Sequence, residues 1–227
     1  MHKFLAKEEL AIYNSLQLFL TAKKQEESTH YEDAKNTLKK ALYEAPSFTS
    51  AAIILSQICL QTTIDNKTFK ILLKTASLAP HIQLLNNMLM LGKYESPTIA
   101  YHFFSEQLSL DHYENLLFLS TLAGNASFID IAKQLAEKAL SIYPTLRAYQ
   151  QLTNIMAIKQ DNITPPIYSA EIIQPDFTWH CHSCTHAYNE FHVFCPNCDD
   201  LNTINYGILV KKENSHTHAP KTYLLAG

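Results

Sequence analysis

Residues 38–46 read LKKALYEAP, and the same shape returns as LLKTASLAP at 72–80 and as AEKALSIYP at 136–144. In each, a lysine is followed at once by a small residue and then, at an equal offset, by proline. The three sets are Lys40/Ala41/Pro46, Lys74/Thr75/Pro80 and Lys138/Ala139/Pro144. Pro46 and Pro80 lie 34 residues apart, and the 64 residues from Pro80 to Pro144 hold two further units, one slightly short. Proline cannot continue a helix, so each one fixes a helix exit. A recurring exit at this interval predicts helical hairpins stacked on one another.

The segments between these exits have the matching periodicity. Leu10, Ile12, Tyr13, Leu16, Leu18, Phe19 and Leu20 recur at helical spacing, as do the apolar residues from Ala51 to Leu60. Ala34, Ala41, Ala132 and Ala139 let the second helix of a pair approach the first closely. A unit near 34 residues closed by proline is the tetratricopeptide pattern, a helix-turn-helix stacked on its neighbours. Residues 5–160 therefore read as three and a half to four degenerate repeats in a superhelix, with an irregular helical bundle as the alternative. The usual first-helix glycine is missing, and the third unit, about 81–112, has no closing proline.

Charge is unevenly placed. The stretches Leu10–Ala22, Phe48–Gln61, His81–Gly92 and Asn115–Ala123, which read as first helices, contain no Asp, Glu, Lys or Arg. They carry amides instead: Asn14, Gln17, Gln57, Gln61, Gln83, Asn86, Asn87 and Asn115. Glu32, Asp33, Lys39, Lys40, Lys70, Lys74, Lys133, Glu137 and Lys138 all fall on second helices. In a stacked-repeat superhelix the first helices line the concave side. Amides there can donate to and accept from the backbone of an extended peptide, making Asn14, Gln17, Gln57, Gln83, Asn86, Asn87 and Asn115 candidate groove residues. Burial of first helices between their neighbours predicts the same depletion of charge.

The chain changes character after Lys159. Pro165, Pro166 and Pro175 exclude a continuous helix, so 161–176 reads as a linker. Residues 177–206 contain Cys181-His182-Ser183-Cys184 and Cys195-Pro196-Asn197-Cys198, two C-x2-C pairs separated by a ten-residue spacer, THAYNEFHVF. Each pair places two thiolates on one side of a tight turn, and two facing turns make a tetrahedral S4 cage. Zn2+ is the expected occupant, and Fe takes the same ligand set. Four thiolates close the coordination shell, so the site reads as structural and His180, His182, His186 and His192 as bystanders. Glycine commonly follows the second cysteine of such turns because the position can require positive φ. Here it is replaced by Thr185 and Asp199, and a β-branched threonine fits that conformation poorly. Phe177, Trp179, Tyr188, Phe191, Phe194, Leu201, Ile204 and Tyr206 suit short strands. So short a module needs the metal to fold, and its surplus apolar residues are placed to dock on the helices. The tail 207–227 reads as mostly disordered.

Composition narrows the function. A formal net charge of −3, with no Lys or Arg in the ribbon, excludes a general nucleic-acid or anionic-membrane binder. No apolar run is long enough to span a bilayer. The lone Cys59, in an apolar run, reads as a buried small hydrophobe, and no disulfide framework is present, as suits a reducing compartment. No nucleophile–base pattern, carboxylate pair or phosphate-cradling loop stands out, so no enzyme activity is expected.

Helical repeats ending in C-x2-C-x10-C-x2-C give a further lead. The chain resembles the C-terminal part of bacterial tetratricopeptide proteins with a rubredoxin-like metal-binding domain. Two groups share that plan, lipopolysaccharide assembly protein B and the HemY-type proteins. The run from Trp179 through Cys184, with Phe191, Phe194, Cys195, Pro196 and Asp200 to Tyr206, looks slightly closer to the HemY-type ribbon. Only the four cysteines carry over, as metal ligands. The first group implies a cytoplasmic-face adaptor that presents a lipopolysaccharide biosynthetic enzyme to a membrane protease; the second implies a link to haem metabolism. An iron-loaded electron-transfer module is a further alternative. Both groups normally begin with membrane-spanning segments, which this sequence lacks.

Overall fold

The computed structural model describes residues 7–159, 176–201 and 204–207. The linker expectation, Asp176 apart, and the tail expectation beyond Gly207 lie outside them. The described residues form α1 (Lys7–Glu27), α2 (Tyr31–Glu44), α3 (Thr49–Gln61), α4 (Asn66–Leu78), α5 (Ile82–Gly92), α6 (Pro97–Gln107), α7 (Tyr113–Asn125), α8 (Ile129–Ile142) and α9 (Leu146–Lys159). Three strands follow, β1 (Thr178–Cys181), β2 (Ala187–Tyr188) and β3 (Ile204–Gly207). The fold is mainly helical and tetratricopeptide-like, with a small C-terminal β ribbon.

The repeat is visible in where helices start. First helices begin at Thr49, Ile82, Tyr113 and Leu146, and second helices at Tyr31, Asn66, Pro97 and Ile129, so each step lies close to the 34-residue interval of the prolines. Turns recur too. After α1, Thr29 adopts φ 62° and the His30 N–H returns to the Gln25 carbonyl at 2.8 Å. After α7, Ser127 adopts φ 63° and the Phe128 N–H returns to the Ala123 carbonyl at 2.8 Å. Both are helix ends closed by a left-handed residue and a six-to-one bond. Elsewhere the starts are capped: the Asp65 carboxylate accepts the Thr68 N–H at 2.7 Å, and Ser96 with Pro97 opens α6.

The described residues pack as two compact units that divide within α8, between Leu135 and Ala136. In the first, α1 packs on α2, α2 on α3, α3 on α5, and α6 on α7. Ala34, Leu38, Ala41, Ala51, Ala52, Leu55, Leu72, Ala76, Leu84, Leu85 and Leu116 have no exposed surface. The small alanine side chains leave room for neighbouring helices to approach. The second helices α2 and α4 bury one stripe each and turn Glu32, Asp33, Lys40, Lys67, Lys70 and Lys74 to solvent. In α7, by contrast, every residue from Tyr113 to Ser120 is buried.

Lys35 departs from this pattern. It is 5% exposed on α2, and its ammonium donates to the Thr63 carbonyl and to Glu32 Oε1, each at 2.9 Å. A buried ammonium is tolerated because those bonds replace its water. Cys59 is buried as expected, and desolvation pushes its thiol pKa up, which keeps it inert.

In the second unit the ribbon is an antiparallel sheet in the order β2-β1-β3. Trp179 pairs with Tyr188 on one side and with Tyr206 on the other. The ring of Phe177 meets Tyr143, at the end of α8, with centroids 5.3 Å apart, and meets Tyr206 at 5.7 Å. Arg147 of α9 lies 4.0 Å from Asp176. Within this unit Phe177, just before β1, therefore packs on Tyr143, just after α8.

Candidate metal centre

The two cysteine pairs sit on turns with the same hydrogen bonds. In the first, the Thr185 N–H returns to the Cys181 carbonyl at 2.9 Å, and the Cys181 N–H donates to the His186 carbonyl at 2.9 Å. In the second, the Asp199 N–H returns to the Cys195 carbonyl at 2.8 Å, and the Cys195 N–H donates to the Asp200 carbonyl at 2.9 Å. Each turn closes through a left-handed residue, Thr185 at φ 59° and Asp199 at φ 58°. The positive φ expected after each pair is present. At Thr185 it is strained, because its β-branched side chain crowds the backbone there. Replacing Thr185 with glycine should relieve about 1–2 kcal/mol of strain and lose part of that to unfolded-chain entropy. Metal affinity should then rise about two- to fivefold in a chelator competition.

The turns bring Cys181, Cys184, Cys195 and Cys198 together, with all four sulfurs within 4.8 Å of one another. Cys181 Sγ lies 3.7 Å from Cys198 Sγ, and Cys184 Sγ lies 3.6 Å from Cys195 Sγ. A metal–thiolate bond of about 2.3 Å sets the edge of an S4 tetrahedron at about 3.8 Å, so the cross-turn spacing fits such an ion. All four cysteines are free rather than disulfide-bonded. Cys181 and Cys195 are buried, Cys184 and Cys198 half-buried. This cluster is the candidate metal site. Among the described residues no histidine joins it.

The sulfurs are unequal. Burial opposes ionisation of Cys195, but hydrogen bonds from the Tyr188 hydroxyl and from the Asn197 and Cys198 N–H groups hold its thiol below the usual value. Cys198 receives the Asp200 N–H, which favours its thiolate, yet burial and the other three sulfurs push it up to about 12. Four neighbouring thiols cannot all ionise unless a cation takes up the charge. The sequence reading missed Tyr188 as a participant: its hydroxyl lies 3.0 Å from Cys195 Sγ. Nothing in the spacer distinguishes this aromatic from its neighbours. His186 and His192 lie against the Tyr188 ring, at 5.0 and 5.2 Å between centroids, and His182 is exposed.

The candidate groove amides divide by environment. On α1, Asn14 and Gln17 are exposed, and the Gln17 amide donates to the Tyr13 hydroxyl. Gln57 on α3 is half-buried; on α5, Gln83 and Asn86 are exposed. Asn87 is half-buried and its amide donates to Ser56 Oγ at 2.9 Å, joining α5 to α3. Asn115 differs. It is fully buried and its amide donates to the Ser109 carbonyl at 3.0 Å, so it braces the loop before α7 and is not presented to solvent.

No protein-family model and no curated protein sequence matches the chain. Among solved structures it is similar to MamA, with a TM-score of 0.41 and 18% identity over 65% of this chain and 83% of that one. It is also similar to YrrB, described as a TPR protein with an unusual peptide-binding site: TM-score 0.39, 16% identity, 64% of this chain and 77% of that one. PilW, described as a type IV pilus biogenesis factor, gives 0.39 and 16% over 64% and 70%. Similarity this low adds nothing to what the helix spacing and packing establish. Among the described residues no helix is long and apolar enough to cross a membrane.

Proposed function

We propose that this protein is a non-enzymatic scaffold. Its first helices hold an extended protein segment, and a zinc-braced ribbon completes the C-terminal unit. One observation carries the reading. Burial accounts for uncharged residues inside a stack, yet the exposed positions of α3 and α5 are uncharged too: Leu60 and Gln61, then Gln83, Asn86 and Met90. Exposed positions of α2 and α4 are by contrast rich in charge. Amides beside Leu60 and Met90 suit a peptide backbone with apolar side chains better than a charged ligand.

The resemblance of the repeats-plus-ribbon plan to lipopolysaccharide assembly protein B extends this reading to a cytoplasmic adaptor in lipopolysaccharide regulation, whose partner is a biosynthetic enzyme. The S4 set favours zinc, because a closed tetrahedral thiolate shell serves as a structural brace. A colourless purified protein carrying one equivalent of zinc would sink the iron-based electron-transfer alternative.

The groove is tested by charge. Gln83→Glu with Asn86→Glu places two carboxylates where an incoming backbone must shed water. Partner recovered by affinity purification from native cells should fall about tenfold, equivalent to about 1.4 kcal/mol, with helical circular dichroism unchanged. Recovery equal to wild type would rule the groove out.

A further inference from the structure

Strand β2 is only two residues long, yet its Tyr188 is held from several directions. It pairs with Trp179 across the strand, and its carbonyl accepts the Thr178 hydroxyl at 3.1 Å. Its ring lies against those of His186 and His192, and its hydroxyl reaches Cys195 Sγ at 3.0 Å. The turns themselves also donate backbone N–H groups to the sulfurs, such as that of Cys184, 3.5 Å from Cys181 Sγ. Cys195 collects a side-chain hydroxyl in addition to such turn donors.

That arrangement has a chemical consequence. Four thiolates around a divalent cation retain about two negative charges. The ribbon sequence from Asp176 to Gly207 supplies no Lys or Arg to balance them and adds Asp176, Glu190, Asp199 and Asp200. Neutral donors aimed at sulfur must then carry the compensation. Each one lowers the electron density on the thiolate and so its tendency to take up a proton or leave the metal.

We propose that the Tyr188 hydroxyl donates to the Cys195 thiolate and sets how long the site retains its metal. The residue is a positioning and tuning group, and it acts through Cys195 rather than on the metal. On this account the ligands are not equivalent: buried Cys195 holds on, while half-buried Cys184 and Cys198 open first. The inference rests on the four-cysteine metal reading.

The test uses the full chain loaded with one equivalent of zinc, and separately with cobalt(II). Tyr188→Phe keeps the ring against the two histidines and removes only the hydroxyl. Loss of an outer donor of this kind typically weakens a metal site about 10–100-fold, and zinc transfer to a chromophoric chelator should accelerate by a similar factor. The thiolate-to-cobalt charge-transfer band should move to longer wavelength, because a sulfur relieved of a donor gives up its electrons more easily. Thr178→Val loosens the same strand while keeping the hydroxyl and should leave that band at its wild-type position. Equal transfer rates and band positions in wild type and Tyr188→Phe would overturn the proposal, as would an equal band shift in Thr178→Val. A wild-type chain that takes up no metal would instead remove the four-cysteine reading on which the proposal stands.

Discussion

Replacing Cys195 and Cys198 with serine, or stripping the metal with a chelator, is expected to unfold the ribbon while most helical circular dichroism survives. Every helix of the described chain lies between Lys7 and Lys159, and the ribbon contributes only β1, β2 and β3. Those strands comprise four, two and four residues, too little pairing to stand without a brace. Structural zinc supplies apparent binding free energies of about 10–16 kcal/mol in small domains, so its removal exceeds any other single change to the ribbon. The chain carries its own reporter. Trp179 is the sole tryptophan, 8% exposed, with its ring 5.5 Å from Phe191 and 5.2 Å from Tyr206. Its emission should shift to the red when the ribbon opens, with little change in the helical signal. Loss of both together would mean that the helices depend on the metal, contrary to this account. Affinity should also fall as pH drops, because protons compete with the metal for the four sulfurs.

Much of this architecture is legible in the chain because each element leaves a local trace. Proline exits and alanines at close approaches mark hairpins without reference to distant residues, and a C-x2-C turn fixes its ligands within four positions. What escapes is whatever depends on the partner across a contact. Asn115 looks like its neighbouring amides until the loop from Ser109 folds over it. Lys35 resembles an ordinary surface lysine, and only the Thr63 carbonyl makes its burial tolerable. Tyr188 reads as one more strand aromatic, since its hydroxyl meets Cys195 only once the spacer has turned back. Thr185 shows the converse: the turn's demand for positive φ is legible, and the structure meets it with a residue poorly suited to it. Closure of the cage outweighs that local strain.

The third unit lacks a closing proline, and an aromatic cluster does the holding there. Phe104 of α6 is fully buried, with ring centroids 5.5 Å from Tyr94, 5.2 Å from Phe103 and 5.1 Å from Phe118 of α7. Phe103 continues the chain of rings to Tyr94 at 5.4 Å and to Phe69 of α4 at 6.0 Å. The Tyr94 ring folds back over Gly92, where any side chain would collide with it. The cluster thus joins α4, α6 and α7, so that the exit angle of α6 is set by packing instead of by a proline. Deleting its centre should be costly: Phe104→Ala forfeits the burial of a whole ring and leaves a cavity, about 3–5 kcal/mol. A stack of repeats is stabilised by nearest-neighbour interfaces, so the loss should concentrate at the junction of α6 with α7. Hydrogen exchange should then quicken in α5, α6 and α7 ahead of α2, with the melting temperature of the helical signal lowered. Phe104→Leu, which keeps most of the volume, should recover more than half of the lost stability. If Phe104→Ala melted like wild type, the aromatic cluster could not be what replaces the missing proline.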